Sequence, residues 1–288
     1  GADILGINPI NVAFMANVET ASPYYSSSRL FLNPLYIDVM AVNGAQKSKK
    51  LQALLADKDF QAKLQKARAS RIVEYALVGE LKGKAFEALY ADFNGSDAFD
   101  AFCEKGGEAL DNAALYQVLA ENFVLKKKGV GFKSWGKAYA SPDTAQSKKF
   151  AKEHADRIRY FKYLFWLADA QFKAASEACG QANLGIGLYQ DLAVGVAAES
   201  AETWGAQELF AVDLSIGSPP DMFNADGQRW GVAPMRPARM REEAYASYRR
   251  ILSANMKRAG AVRIDHVMGL ARLFCIPDGA AGAYVQYP

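Results

Sequence analysis

Apolar and polar positions along this chain fall into three successive patterns. The first is brief: the run ADILGINPI closes on Asn8 and Pro9, as a buried strand does before a turn. An irregular stretch, NVETASPYYSSSRLFLNPLYIDV, crowded with Ser, Pro, Asn and Tyr, completes a segment over 1–41. The second pattern, over 42–145, is Ala- and Lys-rich with helical periodicity. In EALDNAALYQVLAENFVLKKK the residues Leu110, Leu115, Val118, Leu119 and Phe123 share one broad apolar face. This block reads as a mainly helical insertion.

The third pattern, over 146–288, alternates. A helix over 146–178 sets Ile158, Phe161, Leu164, Phe165, Leu167 and Phe172 mainly on one side. Gly180 follows it, then the strand-like LGIGLYQDLAVGV. A second helix over 241–258 carries Tyr245, Tyr248, Ile251, Leu252 and Met256, and Gly260 stands where a C′ glycine would stop it. AVRID then reads as a strand. Helix, glycine, strand and acid thus occur twice, ending in Asp191 and Asp265. Repeated α-then-β units favour a parallel sheet or barrel, and barrels carry their chemistry at the C-terminal ends of strands.

Composition changes this picture little. The 288 residues are 51% hydrophobic and 23% charged, enough to build a large core. A net charge of +3, from 34 basic and 31 acidic residues, gives no reason to expect nucleic acid as a partner. No apolar run is long enough to span a bilayer, so no membrane partner is expected. Cys103, Cys179 and Cys275 are widely spaced and odd in number, which fits a reducing, cytoplasmic compartment. His154 and His266 are the only two histidines, which excludes a histidine-rich metal site; no metal or cofactor is expected. The opening GADILGINPI has neither an initiator Met nor signal-peptide character, and GAYVQYP has no helix-stop or tail character. Both ends read as cut, so the chain is expected to be part of a longer protein.

The strand AVRIDH sets three ionisable groups in an apolar run. Period-two alternation turns Arg263 and Asp265 to one face and Ile264 and His266 to the other. A guanidinium beside a carboxylate favours the ionised acid. An ionised Asp on a rigid strand end suits a nucleophile, although the same pair could simply close a strand. SPPDMFNADGQRWG adds a polar loop bearing Trp230, and SPYY adds Tyr24 and Tyr25. Aromatic faces of this kind stack on sugar rings or anchor loops.

Taken in order, SPYYSSSRLFLNPLYIDV, GLYQDLAVGVAAESAETW, GSPPDMFNADGQRWGVAPMRP, GAVRIDHVMGLARLF and GAYVQYP resemble the 4-α-glucanotransferases (amylomaltases) of glycoside hydrolase family 77. The resemblance is strong in these motifs and weak in the helical block. GQRWG together with VRIDH is highly specific, whereas Arg-x-Asp alone is shared with wider α-amylase relatives. It implies a (β/α)8 TIM barrel with helical insertions, of which this chain supplies about the first half. Half a barrel leaves strand edges and inner apolar faces open.

Carried over residue by residue, the resemblance makes Asp265 the nucleophile and has Arg263 orient it. His266 would hydrogen-bond the sugar, and Asp191 would bind sugar and shape the site. Tyr24 would stack on the donor sugar, while Asp221 and Trp230 belong to a loop that covers the cleft and favours acceptor glucan over water. Two positions depart from the pattern. Tyr25 stands where a smaller or polar residue is more usual, and Cys275 replaces a bulky aromatic. The implied activity is 4-α-glucanotransfer between maltodextrins, α-1,4-glucans serving as donor and acceptor. Glu199, Glu202 and Glu208 do not match the family's general-acid motif, so the chain is expected to lack its acid/base. A non-catalytic α-glucan-binding protein and an α-amylase-like hydrolase are the alternatives.

Overall fold

The computed structural model describes residues 1–279 together with Val285 and Gln286; most of the GAYVQYP motif lies outside the described residues. Strands β1 (Ile4–Ile7), β2 (Asn11–Val12) and β3 (Ser28–Leu32) come first. The helical block follows as α1 (Lys49–Ala56), α2 (Lys58–Ala69), α3 (Tyr75–Ala91), α4 (Asp97–Leu125), α5 (Ala145–Glu153) and α6 (Ala155–Gln181). The alternating part then runs β4 (Gly187–Leu192), β5 (Val196–Ala197), α7 (Ala201–Gly205), β6 (Leu214–Ser218), β7 (Gln228–Arg229) and β8 (Val232–Ala233). It ends with α8 (Pro237–Glu242), α9 (Ala246–Met256), β9 (Ala261–Ile264), β10 (Phe274–Pro277) and β11 (Val285–Gln286).

Several helix boundaries differ from the sequence pattern, each for a local reason. The helix over 146–178 is two helices, broken at His154, whose ring stacks on Phe150 at 3.8 Å and shares the Phe150 carbonyl with its own backbone N–H. Gly180 lies inside the last turn of α6, and Asn183 takes the left-handed conformation beyond it. The helix over 241–258 is also split, because Ala244 and Tyr245 both have positive φ. Gly260 is not the C′ residue of α9, which is capped at Lys257. Its glycine identity has another cause. A Cβ there would meet the Ile186 carbonyl oxygen at 1.7 Å, while the Gly260 N–H bonds to the Leu188 carbonyl at 2.8 Å.

The sheet that positions the site is parallel, in the order β1-β4-β9. Directly opposed residues of a parallel pair share a face, so Gly6, Tyr189 and Ala261 line the same side as Asp191 and Arg263. Gly6 leaves room for the Tyr189 ring, which a Cβ would meet at 2.4 Å. On the other face, Gln190 donates to Asn255 of α9 (2.8 Å), and Asn255 and Asn11 both donate to the Arg29 carbonyl (3.0 and 3.1 Å). These buried amides fix the register. A one-residue slip would turn Asp191 to the wrong face and strand the amides without partners. Among the described residues, no strand pairs with the outer edge of β1 or β9, and Leu5 and Ile264 are exposed there. The open edges expected of a partial barrel are present.

The main core lies between the helical block and β2–β3, where Tyr116, Phe86, Phe161, Phe165 and Trp204 are fully buried. The Tyr116 hydroxyl sits between the carbonyls of Val130 and Glu199, joining α4 to the segment beyond β5. A second sheet, β11-β10-β6-β7, is antiparallel and carries the Trp230 loop. The deepest charge pair is Arg29 with Glu202. The guanidinium donates to Glu202 Oε1 at 2.8 and 3.3 Å, and the Arg29 backbone N–H donates to Oε2 at 2.8 Å. Their side chains are 3% and 8% exposed.

Removing one member of such a buried pair leaves an uncompensated charge. Arg29→Met is therefore expected to destabilise the protein by about 3–5 kcal/mol, with Arg29→Met/Glu202→Leu recovering most of the loss. Urea denaturation of both variants checks this; equal destabilisation by the single and double changes would contradict it.

Candidate active site

The register of β4 against β9 places Arg263 opposite Asp191. Arg263 Nη1 donates to Asp191 Oδ2 and Nη2 donates to Asp265 Oδ1, both at 2.7 Å. One guanidinium thus bridges two carboxylates that would otherwise repel. Its planar fork can do this in fixed geometry, which a lysine ammonium cannot. The hydrogen bond to Asp191, then the negative charges of Asp191 and Asp265, hold Arg263 above its ordinary pKa as a permanent cation. The two acids differ in setting: the Asp191 side chain is 7% exposed, that of Asp265 42%. Asp265, just past the end of β9, is the one open to a ligand.

Tyr24 joins the cluster from the loop before β3. Its hydroxyl donates to Asp191 Oδ2 (3.2 Å) and lies 3.4 Å from Asn8 Oδ1. Burial and the hydrogen bond to Asp191 push the phenol above its usual pKa, so it stays a neutral donor. Asp191 Oδ2 is then occupied by Arg263 and Tyr24, while its buried Oδ1 has no partner among the described residues. Asp191 is the hub that aims both the tyrosine and the arginine.

Trp230 comes from the other side. Its backbone N–H bonds to the Ile216 carbonyl at 3.0 Å, and its indole N–H donates to Gln228 Oε1 at 3.0 Å. Tyr24, Tyr25, Val194, Gly195, Trp230 and Asp265, with Ser22 and Val232, enclose a cavity of about 190 Å3, large enough for one pyranose ring. Behind Asp265 and His266 lies a second cavity of about 260 Å3, walled mainly by apolar side chains such as Leu192, Ile216, Met240 and Leu270. Among the described residues, no cluster of His, Cys, Asp or Glu could hold a metal ion. No described helix is long and apolar enough to cross a membrane.

Five of the seven residues singled out in the sequence come together around one centre: Asp265, Arg263, Asp191, Tyr24 and Trp230. His266 does so indirectly. Strict alternation would turn it away with Ile264, but its left-handed backbone (φ 49°) redirects the ring edge-on to Trp230, 5.0 Å between centroids. Its Nε2 is buried without a partner among the described residues. Asp221 is not brought in. Its Oδ1 accepts the N–H groups of Phe223 and Asn224, each at 2.8 Å, an Asx turn that holds its own loop tip. Met222 and Phe223 on that tip are 90% and 91% exposed.

The sequence reading passed over Tyr25 as a site residue, yet its ring lines the same cavity. Glu202 is consumed by Arg29, and Glu199 accepts the Lys133 N–H at 3.1 Å. Neither is free at the centre.

Comparison with known proteins gives the family and the fold. The chain matches the family model described as 4-alpha-glucanotransferase, glycoside hydrolase family 77, over residues 1–288, and it belongs to that family. It is 36% identical over 304 residues to the 4-alpha-glucanotransferase of Haemophilus influenzae, covering 100% of this chain and 44% of that protein. The crystal structure of amylomaltase from Corynebacterium glutamicum superposes with a TM-score of 0.76 at 27% identity, over 100% of this chain and 39% of the other. Amylomaltase from Streptococcus agalactiae in complex with acarbose gives 0.77 at 20% identity, over 99% and 57%. The fold is therefore that of the amylomaltases in part: three parallel strands and the helical segments of the expected partial (β/α)8 barrel are present among the described residues. The chain spans less than half the length of the Haemophilus relative.

The hub role of Asp191 has a direct consequence. Asp191→Asn weakens the acceptor for Tyr24, so the Tyr24 phenol should titrate closer to the ordinary tyrosine pKa than in the wild type. NMR titration of ring-labelled tyrosine, with Tyr24→Phe for assignment, measures the shift; an unchanged Tyr24 titration would refute it.

Proposed function

We propose that the protein containing this chain is a 4-α-glucanotransferase that moves α-1,4-glucan segments between maltodextrins by a retaining double displacement. The observation that carries this reading is the Asp191–Arg263–Asp265 bridge, with its outer carboxylate opening into a cavity walled by Tyr24 and Trp230. An aromatic-walled cavity buries the C–H faces of a sugar while leaving its hydroxyls to polar groups. Family membership and the Haemophilus relative support the same assignment.

In the first step Asp265 attacks the anomeric carbon. The C1–O4 bond breaks, and the departing glucan oxygen takes a proton from a general acid. In retaining enzymes that acid stands roughly 5–5.5 Å from the nucleophile. The C4 hydroxyl of an acceptor glucan then attacks C1, returns its proton to the same group and frees Asp265. Arg263 aims the nucleophile through its 2.7 Å hydrogen bond to Asp265 Oδ1. Tyr24 stacks on the donor sugar, Trp230 and the Asp221 loop favour glucan over water, and His266 approaches the sugar beside Trp230. We assign the proton donor to polypeptide outside these residues, since the Haemophilus and Mycobacterium relatives are more than twice as long. Three free cysteines support a reducing, cytoplasmic setting.

Incubation with maltotriose separates the readings. A transferase accumulates glucose together with longer maltodextrins, a hydrolase glucose and maltose alone, and a binding protein neither. In the full-length protein Asp265→Asn should lower transfer by about 10^4-fold or more, the scale of losing a nucleophile. The 288-residue chain alone should show none. Undiminished transfer by the Asp265 variant would remove the nucleophile from the mechanism.

A further inference from the structure

Asn255 is an unfavourable choice for its own helix. It lies near the end of α9 and is buried, where an alanine or leucine would suit the helix better and would bury no amide. All four hydrogen-bonding places of its amide are nevertheless filled. Oδ1 accepts from Gln190 Nε2 at 2.8 Å and from Asn11 Nδ2 at 3.2 Å. Nδ2 donates to the carbonyls of Arg29 at 3.0 Å and Ile251 at 2.8 Å. One side chain therefore ties β2, β3 and β4 to α9. Tyr24 lies on the loop between β2 and β3, and Asp191 follows Gln190 on β4. The 3.2 Å contact from the Tyr24 hydroxyl to Asp191 Oδ2 thus spans two segments pinned at the same amide. The same Asp191 oxygen holds Arg263, which in turn holds Asp265.

We propose that Asn255 is a positioning residue for the reaction: by tying β2, β3 and β4 together from behind, it sets the reach of Tyr24 to Asp191 and, through Asp191, the aim of Arg263 on Asp265. It touches no sugar. Its effect on rate rests on the glucan reading of the site, whereas its geometric part stands on the hydrogen bonds alone. With leucine at this position, Gln190 and Asn11 lose their shared acceptor. Their buried amides must turn to find other partners. That moves the strand carrying Asp191 against the loop carrying Tyr24.

Two readouts on the full-length protein test this in wild type, Asn255→Leu and Gln190→Leu, with thermal melts to confirm folding at the assay temperature. The first is steady-state transfer from maltotriose. Each variant should lose about tenfold or more in kcat with KM within about threefold, because a misaimed nucleophile costs the transition state rather than binding. The second is NMR titration of ring-labelled tyrosine, with Tyr24→Phe for assignment. The Tyr24 phenol should titrate closer to the ordinary tyrosine value as its reach to Asp191 is lost. Lower stability in a protein that remains folded moves neither readout. Should Asn255→Leu fail to fold, Gln190→Leu, which leaves Asn255 its other hydrogen bonds, decides the matter alone. An unchanged Tyr24 titration in the folded variants overturns the link through Asn255. A kcat loss below about tenfold, or a loss carried by KM instead, overturns its role in the reaction. A wild type that transfers no glucan removes the glucan reading of the site, while the titration still decides the link.

Discussion

The site depends on one guanidinium held between two carboxylates. Two acids meeting at the ends of adjacent strands would repel, and burying one of them would be costly. Arg263 removes both difficulties, because its fork presents one N–H to each acid at 2.7 Å. The arrangement is possible only because β4 and β9 are parallel and in the register that sets residue 191 against residue 263. That register is held from behind by Gln190, Asn255 and Asn11. The chemistry on one face of the sheet thus rests on an amide network on the other.

The helical block matters to the site through what it holds still. Its core presses on β2 and β3, and the Arg29–Glu202 pair ties β3 to α7. The Ser26 and Ser27 carbonyls accept the N–H groups of Ala197 and Glu202. These bonds stitch the segment after Tyr24 and Tyr25 to the segment after Asp191. The two tyrosines therefore enter the cavity from a loop with little freedom to move. The tip carrying Met222 and Phe223, held mainly by its own turn, is the contrasting case.

Much of this was legible in the chain. The strands ending near Asp191 and Asp265 and the long helices follow from periodicity, because burial of one face imposes a spacing on the residues. Helix breaks at His154 and at Ala244–Tyr245 were not, since each is set by a left-handed or shared-carbonyl geometry that apolar spacing does not encode. Gly260 shows the same limit. Its place after a helix suggested a cap, whereas the close approach of the Ile186 carbonyl is what requires it.

Sequence alone determined which residue types meet at the strand ends: Arg, Asp and an aromatic on either side, with the alternation that puts Arg263 and Asp265 on one face. It also determined the family, because GQRWG and VRIDH together are specific. Tertiary structure decided the rest. It turned His266 toward Trp230, kept Asp221 in its own loop, made Asp191 the hub for Tyr24 and Arg263, and brought Tyr25 into the cavity. The physical reason is that periodicity fixes only the face from which a side chain leaves its own element. Which partner it finds depends on strand register, loop closure and close backbone approach, and these are settled only when distant segments pack.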